Sequence, residues 1–196
     1  MAYRSGVFVD RELVAERVTR ELYERILPAV EREVSQLAIT AGPSLADQAS
    51  FTPGTEWGAP WGTTWFVFAG VVPEHWSGQR VEAVIDLGFS RDPAGFQCEG
   101  LIVDEAGRPL QGIHPRRMNY RVEATPGPLT IRLEAASNPS FPQFVPSPLG
   151  SLDTAGDRPL YRFRRADLAL IDPDVEALVH DIDVIDGLMR TMSHTD

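Results

Sequence analysis

The stretch that decides the fold is WGAPWGTTWFVF, residues 57–68, which is followed at residues 72–76 by VPEHW. Together these segments hold all four tryptophans of the chain. Because glycines and a proline stand between the rings, residues 57–62 cannot form a regular helix or a central strand. We interpret them as an extended entry, with turns, into a strand over residues 63–69.

Tryptophans this close together suit either a core or a sugar-binding surface. A buried ring of this size removes roughly 150–250 Å² from water and can anchor the core of a β domain. An exposed indole can instead lie against the apolar face of a sugar ring. Trp65 is inside the predicted strand and is expected in the core, whereas Trp57, Trp61 and Trp76 flank turns, where rings can be exposed. For any single ring, burial is the commoner outcome.

Length and charge limit the classes of function. The 196 residues suit one domain, alone or with helical attachments, and 43% hydrophobic residues can bury a sizeable core. Acidic residues outnumber basic ones by 28 to 18, so the net charge of −10 argues against nucleic acid or an anionic membrane as the main partner. Cys98 is the one cysteine, which excludes an intramolecular disulfide and a cysteine-cluster metal site.

The sequence pattern predicts neither export nor membrane insertion. No apolar run approaches the roughly 18–20 residues of a membrane-spanning helix. The first residues, MAYRSG, lack the apolar core of a signal peptide. We therefore expect a cytoplasmic protein without a membrane partner.

Residues 1–42 have the pattern of a helical segment. Apolar residues recur every three or four positions and would form one stripe: Leu13, Val18, Leu22, Ile26, Val30, Val34 and Leu37. Pro28 is expected to kink this run or to start a second helix at its first position. We predict that this segment packs on the domain that follows or on a neighbouring domain.

From residue 43 the pattern becomes that of short strands. Alternating or continuous apolar residues predict strands at 80–87, 99–104, 109–113, 118–122, 129–135 and 160–170. Residues 138–159 are rich in proline, serine and glycine and are expected to form a long loop. Such strands with Pro/Gly-rich corners favour an antiparallel sandwich over a parallel α/β sheet. We predict a mainly β domain over residues 43–171.

Residues 172–196 are predicted to form a C-terminal helix. Asp172 is a suitable N-cap, and Pro173 suits the first helical position. The apolar residues of this segment again have helical spacing: Leu178, Ile182, Ile185, Met189 and Met192. An amphipathic helix of this kind usually packs against a neighbour.

A series of motifs gives the chain a family resemblance. In order they are WG-x-x-WGT-x-WF at 57–66, VP-x-x-W at 72–76, EGLIVD at 99–104, GRP-x-QGI at 107–113, R-x-x-Y at 117–120, EAA-x-N at 134–138, DLA at 167–169 and PD-x-EA at 173–177. The series resembles the N-terminal, non-catalytic region of cytosolic and vacuolar type α-mannosidases of glycoside hydrolase family 38. The resemblance extends from about residue 51 to about residue 188. It depends on the number and order of the motifs rather than on any single one.

The resemblance implies both a fold and a function. In that family this region is a jelly-roll, galactose-binding-like β-sandwich that precedes a catalytic barrel. The parent enzyme is a zinc-dependent retaining α-mannosidase, whose zinc ligands belong to the catalytic domain. The resemblance therefore implies that this chain carries no zinc itself and that its C-terminal helix leads toward the catalytic domain.

Carboxylates suitable for glycoside hydrolysis are present in the strand region: Asp86, Glu99, Asp104, Glu105 and Glu134. A retaining enzyme needs two such groups about 5–5.5 Å apart, and sequence spacing places no two of them together. Glu82 and Asp86 share the outward face of a predicted strand, where solvation is the usual reason for a carboxylate. We therefore predict no catalytic residue in this chain.

The histidines do not predict a metal site. They are His75, His114, His180 and His194, and none lies at close ligand spacing to another. We therefore expect no metal ligand among them.

Sugar binding is the one activity for which the chain has candidate residues of its own. They are Trp57, Trp61 and Trp76 as stacking platforms and Arg117 as a donor to hydroxyl groups. Docking against a catalytic domain explains exposed aromatic rings equally well, because interface cores are enriched in Trp and Tyr.

We therefore expect an accessory β-sandwich domain that is inert alone and supports the catalytic domain of the same polypeptide. Its other expected partners are mannose-containing oligosaccharides and further copies of itself in a homo-oligomer. One alternative is a free-standing carbohydrate-binding module with tryptophan platforms. A second alternative, a small enzyme that uses carboxylates on the sandwich, requires a pocket in which two carboxylates converge.

Overall fold

The computed structural model describes residues 5–90, 97–148, 151 and 153–192, with side chains from residue 13 onward except at 141. The chain divides into two compact units. One is Val34–Ala169, and the other combines Met1–Glu33 with Leu170–Asp196. Residues 193–196, which belong to the predicted C-terminal helix and include His194, lie outside the described residues.

Short strands dominate the described chain. In order they are β1 Glu31–Gln36, β2 Ala38–Ser44, β3 Asp47–Phe51, β4 Glu56–Trp57, β5 Thr63–Val72, β6 Val81–Asp86, β7 Glu99–Val103, β8 Pro109–Ile113, β9 Asn119–Val122, β10 Gly127–Ala136, β11 Tyr161–Arg162 and β12 Arg165–Ile171. The predicted strands from residue 63 onward are thus confirmed to within a few residues. The last of them, at 160–170, is divided into β11 and β12.

The strands form two larger sheets and one small sheet. The six-stranded sheet has the order β3-β2-β5-β10-β7-β8, and all of its neighbouring strands are antiparallel. The four-stranded sheet has the order β1-β12-β6-β9, and β4 pairs with β11. The prediction of a mainly β, antiparallel architecture is confirmed.

The core lies between the two larger sheets. β5 and β10 pair along ten residues at the centre of the six-stranded sheet, and Phe66 and Phe68 of β5 are fully buried. Gly70 of β5 faces Leu168 of β12, since a Cβ on this glycine would lie 3.7 Å from the leucine Cδ1. Alternate residues of a strand point to opposite faces, so Phe66, Phe68 and Gly70 all face the other sheet.

Residues 31–42 form strands, so the prediction of a helix over this part of the segment is wrong. Val30, Val34 and Leu37 have helical spacing, but Leu37 and Ile39 are the buried residues, and their period is that of a strand. β2 pairs with both β3 and β5. The hydrogen bonds of these two ladders outweigh the local helical pattern.

The N-terminal helix reaches Val30 through an irregular turn. Helix α1 covers Ser5–Glu21, a π-helical turn covers Leu22–Ile26, and helix α2 covers Leu27–Val30. A second helix was predicted to start at Pro28, and α2 starts one residue earlier, so that Pro28 is its second residue. A proline cannot donate an N–H and its ring displaces the carbonyl four residues earlier, so the helix widens just before it.

Helix α3 covers Pro173–Met192 and begins as the sequence predicts. The Asp172 Oδ1 accepts hydrogen bonds from the N–H groups of Asp174 at 3.0 Å and Val175 at 3.2 Å. The side chain therefore caps two of the free N–H groups of the first turn. Among the described residues, none of the helices combines the length and the apolar character needed to cross a membrane.

The unit Val34–Ala169 contains one close backbone contact, at Gly88, whose contribution to stability can be measured by substitution. Gly88 has φ +101°, and a Cβ at this position would lie 2.4 Å from the carbonyl oxygen of Arg162. We predict that Gly88→Ala lowers the free energy of unfolding by roughly 2–3 kcal/mol, from backbone strain plus the collision. Urea unfolding of the full chain, followed by tryptophan fluorescence, measures the change.

Gly107→Ala is the matched control for this prediction. Gly107 also has a positive φ of +78°, but nothing lies within 4 Å of its Cβ position. Its substitution should cost only the conformational part, about 1 kcal/mol. Equal losses in the two variants would show that the Gly88 collision is relieved without cost.

Candidate functional site

Trp57 is a core residue of β4. Its side chain is 4% exposed. Its Nε1–H donates to the carbonyl oxygen of Leu87 at 2.7 Å, and its ring centroid lies 5.2 Å from that of Phe66. Trp57 flanks a turn and could have been exposed, but it is buried, which is the commoner outcome for such a ring. A tryptophan in this position has no face to offer to a sugar.

Trp76 is buried as well. It ends the short 3₁₀ turn Glu74–Trp76, and only 1% of it is exposed. Trp76 therefore also takes the commoner outcome, burial, although it flanks a turn. Trp65, which was expected in the core, is half-buried, because Phe66 and Phe68 take the core-facing side of β5.

Arg117 lies in the turn between β8 and β9. Its backbone pairs with that of His114 through two hydrogen bonds of 2.8 and 3.1 Å. Its guanidinium donates to the Gln111 Oε1 at 3.1 Å, and the Gln111 amide donates to the carbonyl of Asn119 at 2.7 Å. These contacts show that Arg117 stabilises the connection between β8 and β9. Its role in sugar binding stays a prediction.

Trp61 is the one tryptophan of the three candidates that the structure leaves exposed. Its side chain is 47% exposed and it lies 5.9 Å from the ring of Phe144, with an angle of 60° between the two planes. Its Nε1–H donates to the Thr154 Oγ1 at 2.7 Å. We call the surface formed by Trp61, Phe144 and Thr154 the Trp61 corner.

The turn that carries Trp61 is fixed by Ser137. The N–H of Gly62 donates to the carbonyl of Ala59 at 2.8 Å, which closes the four-residue turn APWG at 59–62. Ser137 is fully buried, and its hydroxyl bonds the carbonyls of Ala59 and Gly62. The Trp61 N–H also donates to the Ser137 carbonyl at 3.1 Å. The end of β10 therefore holds the turn in one conformation.

The other side of the corner comes from the predicted long loop. The Val145 N–H donates to the Thr154 carbonyl at 2.7 Å, so the two limbs of the loop are bridged beside the corner. The Gln143 side chain donates to the carbonyl of Leu160 at 2.7 Å.

Sequence analysis missed Phe144 and Thr154, since no periodicity relates Trp61 to a residue 93 positions away. Pro60, in the second position of the turn, is the one signal that could have singled out Trp61.

Asp86 and Glu82 are carboxylates of the unit Val34–Ala169 whose oxygens accept hydrogen bonds from neighbouring residues. Asp86 Oδ1 accepts from the N–H groups of Gly88 at 2.9 Å and Phe89 at 3.1 Å, and its Oδ2 lies 3.3 Å from Arg164. Glu82, which was expected on a solvated face, is 4% exposed, so that expectation is wrong. Its Oε1 accepts from Arg80 at 2.8 Å and its Oε2 from Asn119 at 2.9 Å, as a buried carboxylate requires.

A groove of about 280 Å³ lies along β7–β10 and is lined by both Asp104 and Glu105. The two Asp104 oxygens are occupied by Arg108, whose N–H and guanidinium donate at 2.8 and 2.7 Å. These hydrogen bonds, with that from the backbone first in importance, lower the pKa of Asp104. A carboxylate held in its ionised form is a poor general acid. The exposed Glu105 lies 3.5 Å from Arg132.

The described residues offer neither a metal site nor a thiol nucleophile. No three of their His, Cys, Asp and Glu side chains come together as a metal would need. Zinc therefore does not fit the described part of this chain. Cys98 is fully buried, and burial raises the pKa of its thiol, so it stays protonated and unreactive.

Comparison with known proteins agrees with this geometry. Residues 27–169 match the family model described as alpha-mannosidase, jelly roll domain. Human alpha-mannosidase 2C1 is 29% identical over 156 residues, which is 74% of this chain and 14% of that protein. The mouse alpha-mannosidase 2C1 matches to the same extent. The resemblance and the jelly-roll fold expected from the sequence are confirmed, and the chain spans about 14% of the length of these relatives.

The lowered pKa of Asp104 predicts a pH-dependent contribution to stability. Its stabilising effect is fully present above the ordinary carboxyl pKa of 3.8 and is lost as the pH falls through the lowered folded value. We predict that Asp104→Asn is less stable to urea than the wild type at pH 7. The difference should shrink as the pH falls below 3.8 and through the lowered folded value, below which Asp104 is protonated and both chains are uncharged at this position.

Glu105→Gln is the control, because it removes a neighbouring exposed charge whose ion pair with Arg132 is long, at 3.5 Å. Its effect on the urea midpoint should be small at every pH. An Asp104→Asn difference that stays constant down to the lowest pH at which the chain folds would contradict the assigned cause.

Proposed function

Because the chain belongs to the family of alpha-mannosidase jelly-roll domains, we propose that it is the non-catalytic accessory domain of a zinc-dependent retaining alpha-mannosidase. In this proposal the domain supports the catalytic domain of the same polypeptide, and that domain carries the zinc and the catalytic carboxylates. The protein acts in the cytoplasm. One buried cysteine and no possible internal disulfide are in keeping with a reducing compartment.

The observation that carries the proposal is that three carboxylates of the chain are held by hydrogen bonds and ion pairs that stabilise the fold. Asp86 caps the turn after β6 and bonds Arg164, Asp104 caps the turn after β7, and Glu82 is enclosed with Arg80 and Asn119. Each is fixed by contacts that a fold needs and that a reacting group would have to break. This arrangement supports a structural domain rather than an enzyme.

Helix α3 supplies a surface for docking. Five of its large apolar residues are exposed: Leu178, Val184, Ile185, Leu188 and Met192. At 3.6 residues per turn they lie within an arc of about 120°, which also contains Asp181. A helix with such an exposed apolar arc usually has a partner. The occupant that we propose is the catalytic domain, since the alpha-mannosidases that match this chain are about seven times longer than the matched part.

The non-catalytic role is tested with the purified chain and an aryl α-mannoside. With zinc added, we expect no hydrolysis above that of a preparation from cells that carry an empty vector. We also expect no stoichiometric zinc after dialysis, as measured by mass spectrometry. Hydrolysis that scales with the amount of chain and disappears on adding a chelator would refute the proposal.

The docking role is tested in the complete open reading frame of the gene. Ile185→Glu places a charge in the exposed apolar arc of α3 and should lower the thermal midpoint of the enzyme by several degrees. His180→Glu places the same charge on another exposed part of the helix and should have little effect. If the Ile185→Glu and His180→Glu enzymes have equal thermal midpoints, α3 is not the docking surface.

A further inference from the structure

We propose that the Trp61 corner is a binding site for a single pyranose ring, with the indole of Trp61 as its platform. This inference goes beyond the accessory role and does not depend on it. It narrows the sugar-binding expectation to one place, because Trp57 and Trp76 are buried and unable to take part.

The shape of the corner suits a sugar ring. Trp61 is 47% exposed and Phe144 is 37% exposed, so both rings reach solvent. Their planes meet at 60°, with 5.9 Å between the centroids, so the two rings form the walls of an open angle rather than a parallel stack. A pyranose presents a compact face of C–H groups and a polar edge of hydroxyls. The C–H face can lie on the indole while the hydroxyls remain in water.

The corner is already rigid before anything binds. The indole plane is fixed by the hydrogen bond from Nε1 to Thr154, and the backbone of Trp61 is fixed by its bond to Ser137. On the other side of the corner, the hydrogen bond from the Val145 N–H to the Thr154 carbonyl fixes the backbone of the loop that carries Phe144 and Thr154. A preorganised platform loses little conformational entropy on binding, which matters for a ligand that offers few contacts.

The backbone conformation of Trp61 indicates that a tryptophan is present here for its exposed ring, because the turn itself would be formed more easily by glycine. Trp61 has φ +60°, and it is the one non-glycine residue with a positive φ in the described chain. It occupies the third position of a turn with Pro60 in the second, where glycine is normally favoured. A bulky side chain there costs roughly 1–2 kcal/mol. A ring that is about half exposed recovers little of this cost by packing, so its use is as a surface.

The surroundings favour a small polar ligand over a protein. Beside the corner in the sequence, Val145 is an exposed apolar residue, whereas Thr63 and Asp153 are exposed polar residues. A stable protein interface covers about 800 Å² on each partner, which is far more than two half-exposed rings provide. The Thr154 hydroxyl accepts from the indole and still has its own proton to donate to a sugar hydroxyl.

The test follows the indole N–H signals of the complete 196-residue chain by ¹H–¹⁵N NMR. Methyl α-mannopyranoside and then an α-linked manno-oligosaccharide are the probes. We expect saturable shifts, with millimolar affinity, of the signal that is absent in Trp61→Gly. The Trp57 signal should stay in place because its N–H is bonded inside the core. Glycine tolerates φ +60°, so this variant should fold and should not bind.

Two further variants complete the experiment. Phe144→Ala leaves the indole in place and should weaken binding roughly three- to tenfold. Leu45→Ala removes an exposed apolar side chain in the β2–β3 turn and should bind like the wild type. A Trp61 signal that does not move with either sugar overturns the site, as does a shift that persists in Trp61→Gly. Neither result affects the accessory role, which the hydrolysis and docking experiments test separately.

Discussion

The structure depends on the packing of aromatic rings around Phe66. This fully buried ring lies 5.4 Å from Phe51, 5.2 Å from Trp57 and 5.3 Å from Phe163. Those three residues come from β3, from β4 and from the link between β11 and β12. One side chain therefore ties together strands that are far apart in the sequence. Aromatic pairs in edge-to-face geometry add to the free energy of burial itself, and this cluster contains several.

This packing also divides the tryptophans between the core and the surface. Trp57 joins the ring cluster and closes the β4–β11 pair, where it lies opposite Tyr161. The chain then has five residues, 58–62, in which to turn and enter β5, and the Ser137 hydroxyl is hydrogen-bonded to that turn. Trp61 lies in this turn with a positive φ and is exposed. The proposed sugar site is thus a consequence of how the core is closed.

The sequence predicted most of the sheet but only part of the site. Alternation of apolar residues identified the strands from β5 onward, since a half-buried strand has a period of two that local sequence displays. It failed at β1 and β2, because Val30, Val34 and Leu37 satisfy a helical period while the pairing partners of β2 lie in β3 and β5. The helix cap at Asp172 was predictable because its contacts are local.

The burial of the rings was not predictable in the same way. Trp57 is buried by Leu87 and Tyr161, and the Trp61 corner is completed by Thr154, and all three partners are distant in the sequence. A glycine- and proline-rich context indicates a turn, but it does not show which side of the turn faces the core. Family resemblance supplied the fold and said nothing about these contacts.

The most direct test of this account is hydrogen exchange at the indole N–H of Trp57 in the native chain. Because this group donates to a buried carbonyl beside the Phe66 cluster, it should exchange only through global unfolding, as slowly as the most protected amides of β5. Exchange at the rate of an exposed indole would contradict the claim that the ring cluster holds the sandwich together.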